Sequence, residues 1–124
     1  MYKKKLEADI RCPLEYGLEV FGGKWNSRII CVLANKEKLR YSELRREMGN
    51  ITDAVLASTL KGLISKGLVV RKSYDEMPMR VEYSLTEKGL SVVPILQSIC
   101  KWSGQFYRDE SENTMIQCRK CDYR

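Results

Sequence analysis

The side chains of this 124-residue sequence that can do chemistry are thiols and cations, and one common reactive type is missing. There is no histidine. That removes the commonest general base, the commonest metal ligand and the usual partner of a nucleophilic cysteine or serine. A hydrolytic or thiol-nucleophile enzyme is therefore not expected. The thiols are Cys12, Cys31, Cys100, Cys118 and Cys121. An odd count argues against a framework of structural disulfides. Cys12 stands directly before Pro13, at an expected helix N-terminus and near the cations Lys3, Lys4, Lys5 and Arg11. That setting favours a reactive thiolate open to oxidants or electrophiles, whereas the plainer reading is a small, half-buried residue that opens the helix. Cys31 and Cys100 fall on apolar helical stripes and read as core. Cys118-Arg119-Lys120-Cys121 has the spacing of half a zinc site or of a reversible disulfide. Two thiolates are an incomplete ligand set, so a metal would require the tails of two copies to meet. A polar tail with two exposed thiols is the simpler reading, and neither metal nor cofactor is expected.

The cations are the larger resource. Lys and Arg number 22 against 16 Asp and Glu, a net charge of +6 and a pI near 9.1, which favours a polyanionic partner without proving one. Their placement is more telling than their number. A helical pattern runs from a Thr52 cap to about Lys66, with Leu56, Leu60, Leu63 and Ile64 at the spacing of a buried face. Helical geometry then leaves Asp53, Ala54, Ala57, Ser58 and Lys61 on the opposite face. Short Ala54 and Ala57 allow close approach to a base edge, and Ala57 suits a thymine methyl. Ser58 can donate or accept, while Lys61 suits guanine or a phosphate. Asp53 supports the helix N-terminus, and it either accepts from a cytosine amine or simply repels phosphate. Arg40, Arg45 and Arg46 flank the helical pattern before it, whose expected N-cap is Ser42. Arg71, Lys72 and Arg80 lie on or near the strands after it. Together with Thr52, these residues form the set expected to face duplex DNA, because cations on three successive elements of one topology are not explained by general solvation.

That topology can be read along the chain. Residues 1–11 are a charged arm without periodicity. Cys12-Pro13 opens a first helix with Leu14, Leu18 and Phe21 on one face, ended by Gly22-Gly23. A second helix spans about Lys24 to Ala34, closed by a turn over Asn35-Lys36-Glu37-Lys38. A third begins near Tyr41 with Leu44 and Met48 inward and stops at Gly49. Leu68–Tyr74 and Arg80–Leu85 alternate as strands, with Val81, Tyr83 and Leu85 on one side of the second and Asp75–Met79 as a five-residue hairpin loop. Thr86 caps a last helix over about 87–107, in which Pro94 predicts a kink or restart. Residues 109–124 read as a polar tail. The expected fold is mainly α with a small β-hairpin (α+β), a winged helix–turn–helix over 12–108, with the helix–turn–helix at about 42–66 and the wing at about 68–85. No apolar run approaches the roughly 20 residues of a membrane span, and no signal core follows the basic start, so a cytoplasmic protein is expected.

The sequence also resembles a known family. Cys12-Pro13-Leu14-Glu15, Gly22-Gly23-Lys24-Trp25, Arg40-Tyr41-Ser42-Glu43-Leu44 and Gly49-Asn50-Ile51-Thr52 are similar to HxlR-type bacterial transcriptional regulators. The match continues through Leu56, Leu60-Lys61, Gly67-Leu68-Val69, Arg71, Tyr74 and Pro78. Val81-Glu82-Tyr83-Ser84-Leu85-Thr86, Gly89, Pro94 and Trp102 complete it, so the resemblance covers about residues 12–104. It implies a homodimer that represses or activates from a near-palindromic duplex operator, paired through its first and last helices. Here those helices offer Leu14, Leu18, Phe21, Leu96, Ile99, Trp102 and Phe106. It also implies that, as in some members, Cys12 responds to an oxidant or another small-molecule effector. Ala54 departs from the longer polar or basic residue common in members, and Met79 from a second proline. The competing expectation is a winged-helix module that binds protein and not DNA.

Overall fold

The computed structural model describes residues 12–107; the basic arm expected over 1–11 and the Cys118/Cys121 tail lie outside the described residues. The order of elements is α1 (Pro13–Phe21), α2 (Gly23–Lys36), β1 (Lys38–Leu39), α3 (Tyr41–Met48), α4 (Asp53–Ser65), β2 (Val69–Tyr74), β3 (Arg80–Leu85) and α5 (Glu87–Ser103). The fold is thus mainly helical with a small antiparallel sheet. Its core is organised on α2, whose Ile29, Ile30, Val32 and Leu33 are all buried. Leu44 and Met48 of α3, Leu56, Leu60 and Leu63 of α4, and Val92 and Leu96 of α5 close around them with Leu68, Val69 and Tyr83. Each such side chain contributes about 1.5–3 kcal/mol on burial, so this inward stripe is the main source of cohesion between the helices.

The sheet has one strand more than the alternation suggested. Lys38–Leu39, expected within a turn, pairs with β3 in the register Lys38↔Ser84 and Leu39↔Tyr83. The strand order is β1-β3-β2, so β3 is central and its partners on the other side run from Val69↔Leu85 to Tyr74↔Arg80. A two-residue strand is too short to show a period of two, so nothing local could reveal it. α2 also runs further than expected, to Lys36, and ends where Glu37 turns to φ 69° and its N–H reaches the Leu33 carbonyl at 2.9 Å.

Helix starts are set mostly by side chains that take up orphan N–H groups. Thr52 accepts from Val55 N at 3.2 Å and Thr86 from Gly89 N at 3.1 Å, both as expected. For α3 the expectation fails: the cap is Arg40, and Ser42 lies inside the helix. The deciding residue is Glu43, whose carboxylate accepts the Arg40 N–H at 2.8 Å and fixes the start at Tyr41. Four apolar expectations are also corrected. Ile64 is exposed on α4, and Cys100 is exposed on α5 instead of core. Leu96 is buried within the subunit and so is not open for pairing, and Phe21 is partly buried against the core. α5 is one helix through Pro94, with no restart, and it ends at Ser103.

Two junctions hold the outer helices in place. Gly89 is buried where α5 crosses the entry to β2, so close that a Cβ there would collide with the Leu68 carbonyl. Thr86 ties the same corner, donating from Oγ1 to Gly67 O at 2.6 Å and from N to Leu68 O at 3.0 Å. On the other side, Lys88 Nζ donates to the carbonyl of Lys66 at 2.8 Å and to the Tyr16 hydroxyl at 2.7 Å. Lys66 Nζ in turn reaches the Glu19 carbonyl at 3.4 Å, so the end of α4 is bound to α1. Among the described residues, no helix is long and apolar enough to cross a membrane.

Candidate nucleic-acid interface

The turn between α3 and α4 is made by Gly49, whose φ of 83° suits a residue without a Cβ, and by buried Ile51. Because Leu56, Leu60 and Leu63 point inward, Ala54, Ala57, Ser58 and Lys61 share the exposed face of α4, as their spacing required. Arg40, Ser42 and Arg46 are arrayed around α3, all three exposed. Two of the candidate residues are brought into direct contact. Arg45 Nε meets Asp53 Oδ1 at 2.8 Å, which pins the first residue of α4 to the last turn of α3. The Tyr41 hydroxyl donates to the Asp53 carbonyl at 3.2 Å, and its ring lies tilted against Tyr83 with centroids 6.4 Å apart. Burial holds the Tyr41 hydroxyl above its ordinary pKa, with the Asp53 and Tyr83 charges adding and Arg45 opposing. Tyr41 thus joins the site as a residue the sequence had not singled out.

The hairpin is less open than its cations suggested. Arg80 is held from both sides, by Glu76 (Nη2–Oε2 2.7 Å) and by Glu82 (Nη1–Oε2 2.8 Å), with its guanidinium over the Tyr74 ring at 3.7 Å. These hydrogen bonds push Arg80 up from its ordinary value, Glu76's contribution being the larger. Arg80's hydrogen bond in turn lowers Glu76. For Glu82, whose side chain is only 14% exposed, burial acts upward but is outweighed by Arg80, Tyr74 and Lys38, and the carboxyl ends below its ordinary value. Its Oε1 has no hydrogen bond and lies 3.9 Å from Lys38 Nζ. Lys72 sits over the same Tyr74 ring at 5.1 Å, while Arg71 donates to Ser73 Oγ at 3.2 Å from the opposite face of the strand. The three proposed wing cations therefore do not form one surface. The alternation already placed Arg80 and Glu82 on one face, a signal that the pair would meet.

A large exposed apolar surface lies elsewhere, on α1, on α5 and on the turn that follows α5. Leu14 is 67% exposed, Trp102 65% and Phe106 75%, with Leu18, Tyr16, Leu90, Ile95, Ile99 and Tyr107 also open. The Trp102 and Phe106 rings meet at a tilt, with centroids 5.4 Å apart. Cys12 is exposed at the start of α1, where its backbone N–H donates to Glu15 Oε1 at 3.0 Å. Among the described residues, no group of three or more His, Cys, Asp or Glu is arranged to hold a metal ion.

A helical core that includes a helix–turn–helix, with a hairpin extended by β1, defines a winged helix–turn–helix protein. The HxlR-like helix-turn-helix family model matches residues 20–111, and the chain belongs to that family of transcriptional regulators. A relative from Methanothermobacter thermautotrophicus, described as an HTH-type transcriptional regulator, is 47% identical over 103 residues, covering 83% of this chain and 77% of its own. YkvN of Bacillus subtilis, also described as an HTH-type transcriptional regulator, is 46% identical over 99 residues, or 80% of this chain and 83% of its own. Among solved structures, the redox regulator HypR in its oxidised form superposes with a TM-score of 0.71 at 39% identity, covering 79% of this chain and 99% of HypR. The reduced form of the B. subtilis transcriptional regulator YodB gives 0.71 at 34% identity, covering 78% and 95%.

Proposed function

We propose that the protein is a homodimeric regulator that reads a near-palindromic duplex operator with α4 and represses or activates transcription from it. The observation that carries this reading is the outer face of α4, where Ala54, Ala57, Ser58 and Lys61 are exposed together on a helix anchored by Leu56, Leu60 and Leu63. Small side chains at the N-terminal half admit the helix to a major groove, and Lys61 meets a base or phosphate from the far end. Arg40, Ser42 and Arg45 of the α3 region, Thr52, and Lys72 and Arg71 of the hairpin supply positioning contacts to the backbone. Arg80 is better assigned to holding the wing's shape, since two carboxylates already occupy it.

Pairing rests on the open apolar faces of α1, α5 and the turn after α5, through Leu14 and Leu18 with Ile99, Trp102 and Phe106. Large exposed aromatic and aliphatic side chains gathered on two helices are what a subunit interface buries. Exposed Cys12, at the start of one of those helices, is then the input for an oxidant or electrophile, a reading supported by the likeness to HypR and YodB.

The test is selection of duplexes from a random pool by the full chain, with and without reductant. The expected product has two inverted half-sites centred about one helical turn, roughly 10–10.5 base pairs, apart. Failure to enrich any sequence at any salt refutes operator reading and favours a protein-binding winged helix.

A further inference from the structure

We infer that Asp53 sets how sharply the protein discriminates its operator from other duplexes, by gripping the Arg45 guanidinium at Nε and offsetting its charge. This rests on the DNA-reading assignment above. Arg45 is the α3 cation that touches the first residue of α4, and its side chain remains 49% exposed although Asp53 Oδ1 is 2.8 Å from Nε. The carboxylate is more open still, at 71%. It projects from the start of the reader helix, whose backbone is fixed there by the Tyr41 hydroxyl.

Binding to arbitrary duplex depends on net cations that displace counterions from phosphates. A guanidinium already matched by a carboxylate displaces none on balance, and the carboxylate itself repels the nearest phosphate. Any duplex that seats α4 must bring its backbone toward that carboxylate. Off the operator that repulsion is unrelieved, whereas on it the base contacts from Ala54, Ala57, Ser58 and Lys61 fix a register in which the half-exposed Arg45 bridges the carboxylate and a phosphate. A cost common to all duplexes would cancel, but one relieved only on the operator widens the ratio between them. Arg45 has five N–H donors and stays half-exposed beside Asp53, so donors remain for a phosphate of the correctly docked backbone and Asp53 also acts as a positioning residue.

The experiment is salt titration of binding by the full chain, parent and Asp53→Asn, on the selected duplex and on a scrambled duplex of the same length. Asp53→Asn is expected to bind the scrambled duplex more tightly. The log–log salt slope should be steeper by about 0.9, the worth of one phosphate contact. The operator should gain less, so the specificity ratio contracts. Adding Arg45→Gln should return the slope to that of the parent. A parent that binds while Asp53→Asn leaves slope and scrambled-duplex affinity unchanged overturns this inference alone. Equal weakening on both duplexes with a lowered melting temperature overturns it as well, because Asp53 would then only support its helix. A parent that binds neither duplex overturns the inference together with the reading beneath it.

Discussion

Gly89→Ala is a severe test of how closely α5 lies against the sheet. Substituting alanine for glycine within a helix normally adds about 0.5–1 kcal/mol of stability. At Gly89 the added methyl would run into the Leu68 carbonyl, with the Leu68 carbonyl carbon at 3.2 Å and Leu85 Cδ2 at 3.1 Å. The obstacle is backbone, and Thr86 holds that same carbonyl at 3.0 Å, so it cannot swing aside as a side chain would. Overpacking of this kind costs about 1–3 kcal/mol, and a backbone obstacle belongs to the upper half of that range. Against the helical gain, the net loss is about 1–2 kcal/mol. For a domain of this size that lowers Tm by roughly 5–10 °C. Gly62→Ala is the matched control, since nothing lies within 4 Å of a Cβ there. It should raise Tm by a few degrees, about the shift that 0.5–1 kcal/mol gives. Calorimetry or circular dichroism at one protein concentration measures both, because Tm of an associating protein depends on concentration. A Gly89→Ala variant as stable as Gly62→Ala would refute the close approach.

Other perturbations address the wing, the pairing faces and the thiol. Arg80→Ala should leave the salt slope of DNA binding unchanged; a slope flatter by about one would make Arg80 a phosphate contact after all. The same variant should alter acid unfolding. Glu76 and Glu82 are both held below the ordinary 4.5, so the stability they contribute is complete above that value and is lost as the pH falls through their lowered folded values. Without Arg80 the acid side of a Tm–pH profile should flatten, and an unchanged profile would show that the staple does not stabilise the fold. Trp102→Glu should shift sedimentation toward the monomer, since an exposed indole on α5 is assigned to the partner; an unaltered dimer removes it from the interface. Diamide should release operator from the parent but not from Cys12→Ser, and equal release from both excludes Cys12.

The parts of this fold that were legible in the sequence are those with local causes. Leu56, Leu60 and Leu63 announce their helix by period, Thr52 and Thr86 announce starts by capping chemistry, and Gly49 announces a stop. What escaped has causes that no local pattern displays. β1 exists only because Tyr83 and Ser84 lie beside it, and Ser42 lost its capping role to a carboxylate one residue on. The stripe of α5 divides along its length: Val92 and Leu96 face the core while Ile99 and Trp102, like Phe106 beyond the helix, do not. Periodicity marks an apolar face without saying what covers it. In the candidate interface, the exposed face of α4 followed directly from helical geometry. The partners of Asp53 and Arg80 needed knowledge of how elements cross, although the common face of Arg80 and Glu82 was visible in the alternation.

The bond from α1 to the far end of α4 has a mechanical consequence. Lys88 and Lys66 fasten the end of the reader to Tyr16 and Glu19, on a helix that also carries Cys12 at its start and the open Leu14 and Leu18. α4 has 13 residues, so it is a rod roughly 20 Å long. Its other end is pinned to α3 through Asp53, so a shift of α1 that turns α4 carries α3 with it: about 10° of tilt about Lys66 moves Ala54 by roughly 3 Å, by the same helical rise. That is the whole length of a hydrogen bond to a base. A change in the seating of α1 therefore re-aims the whole helix–turn–helix, and not one contact in the groove.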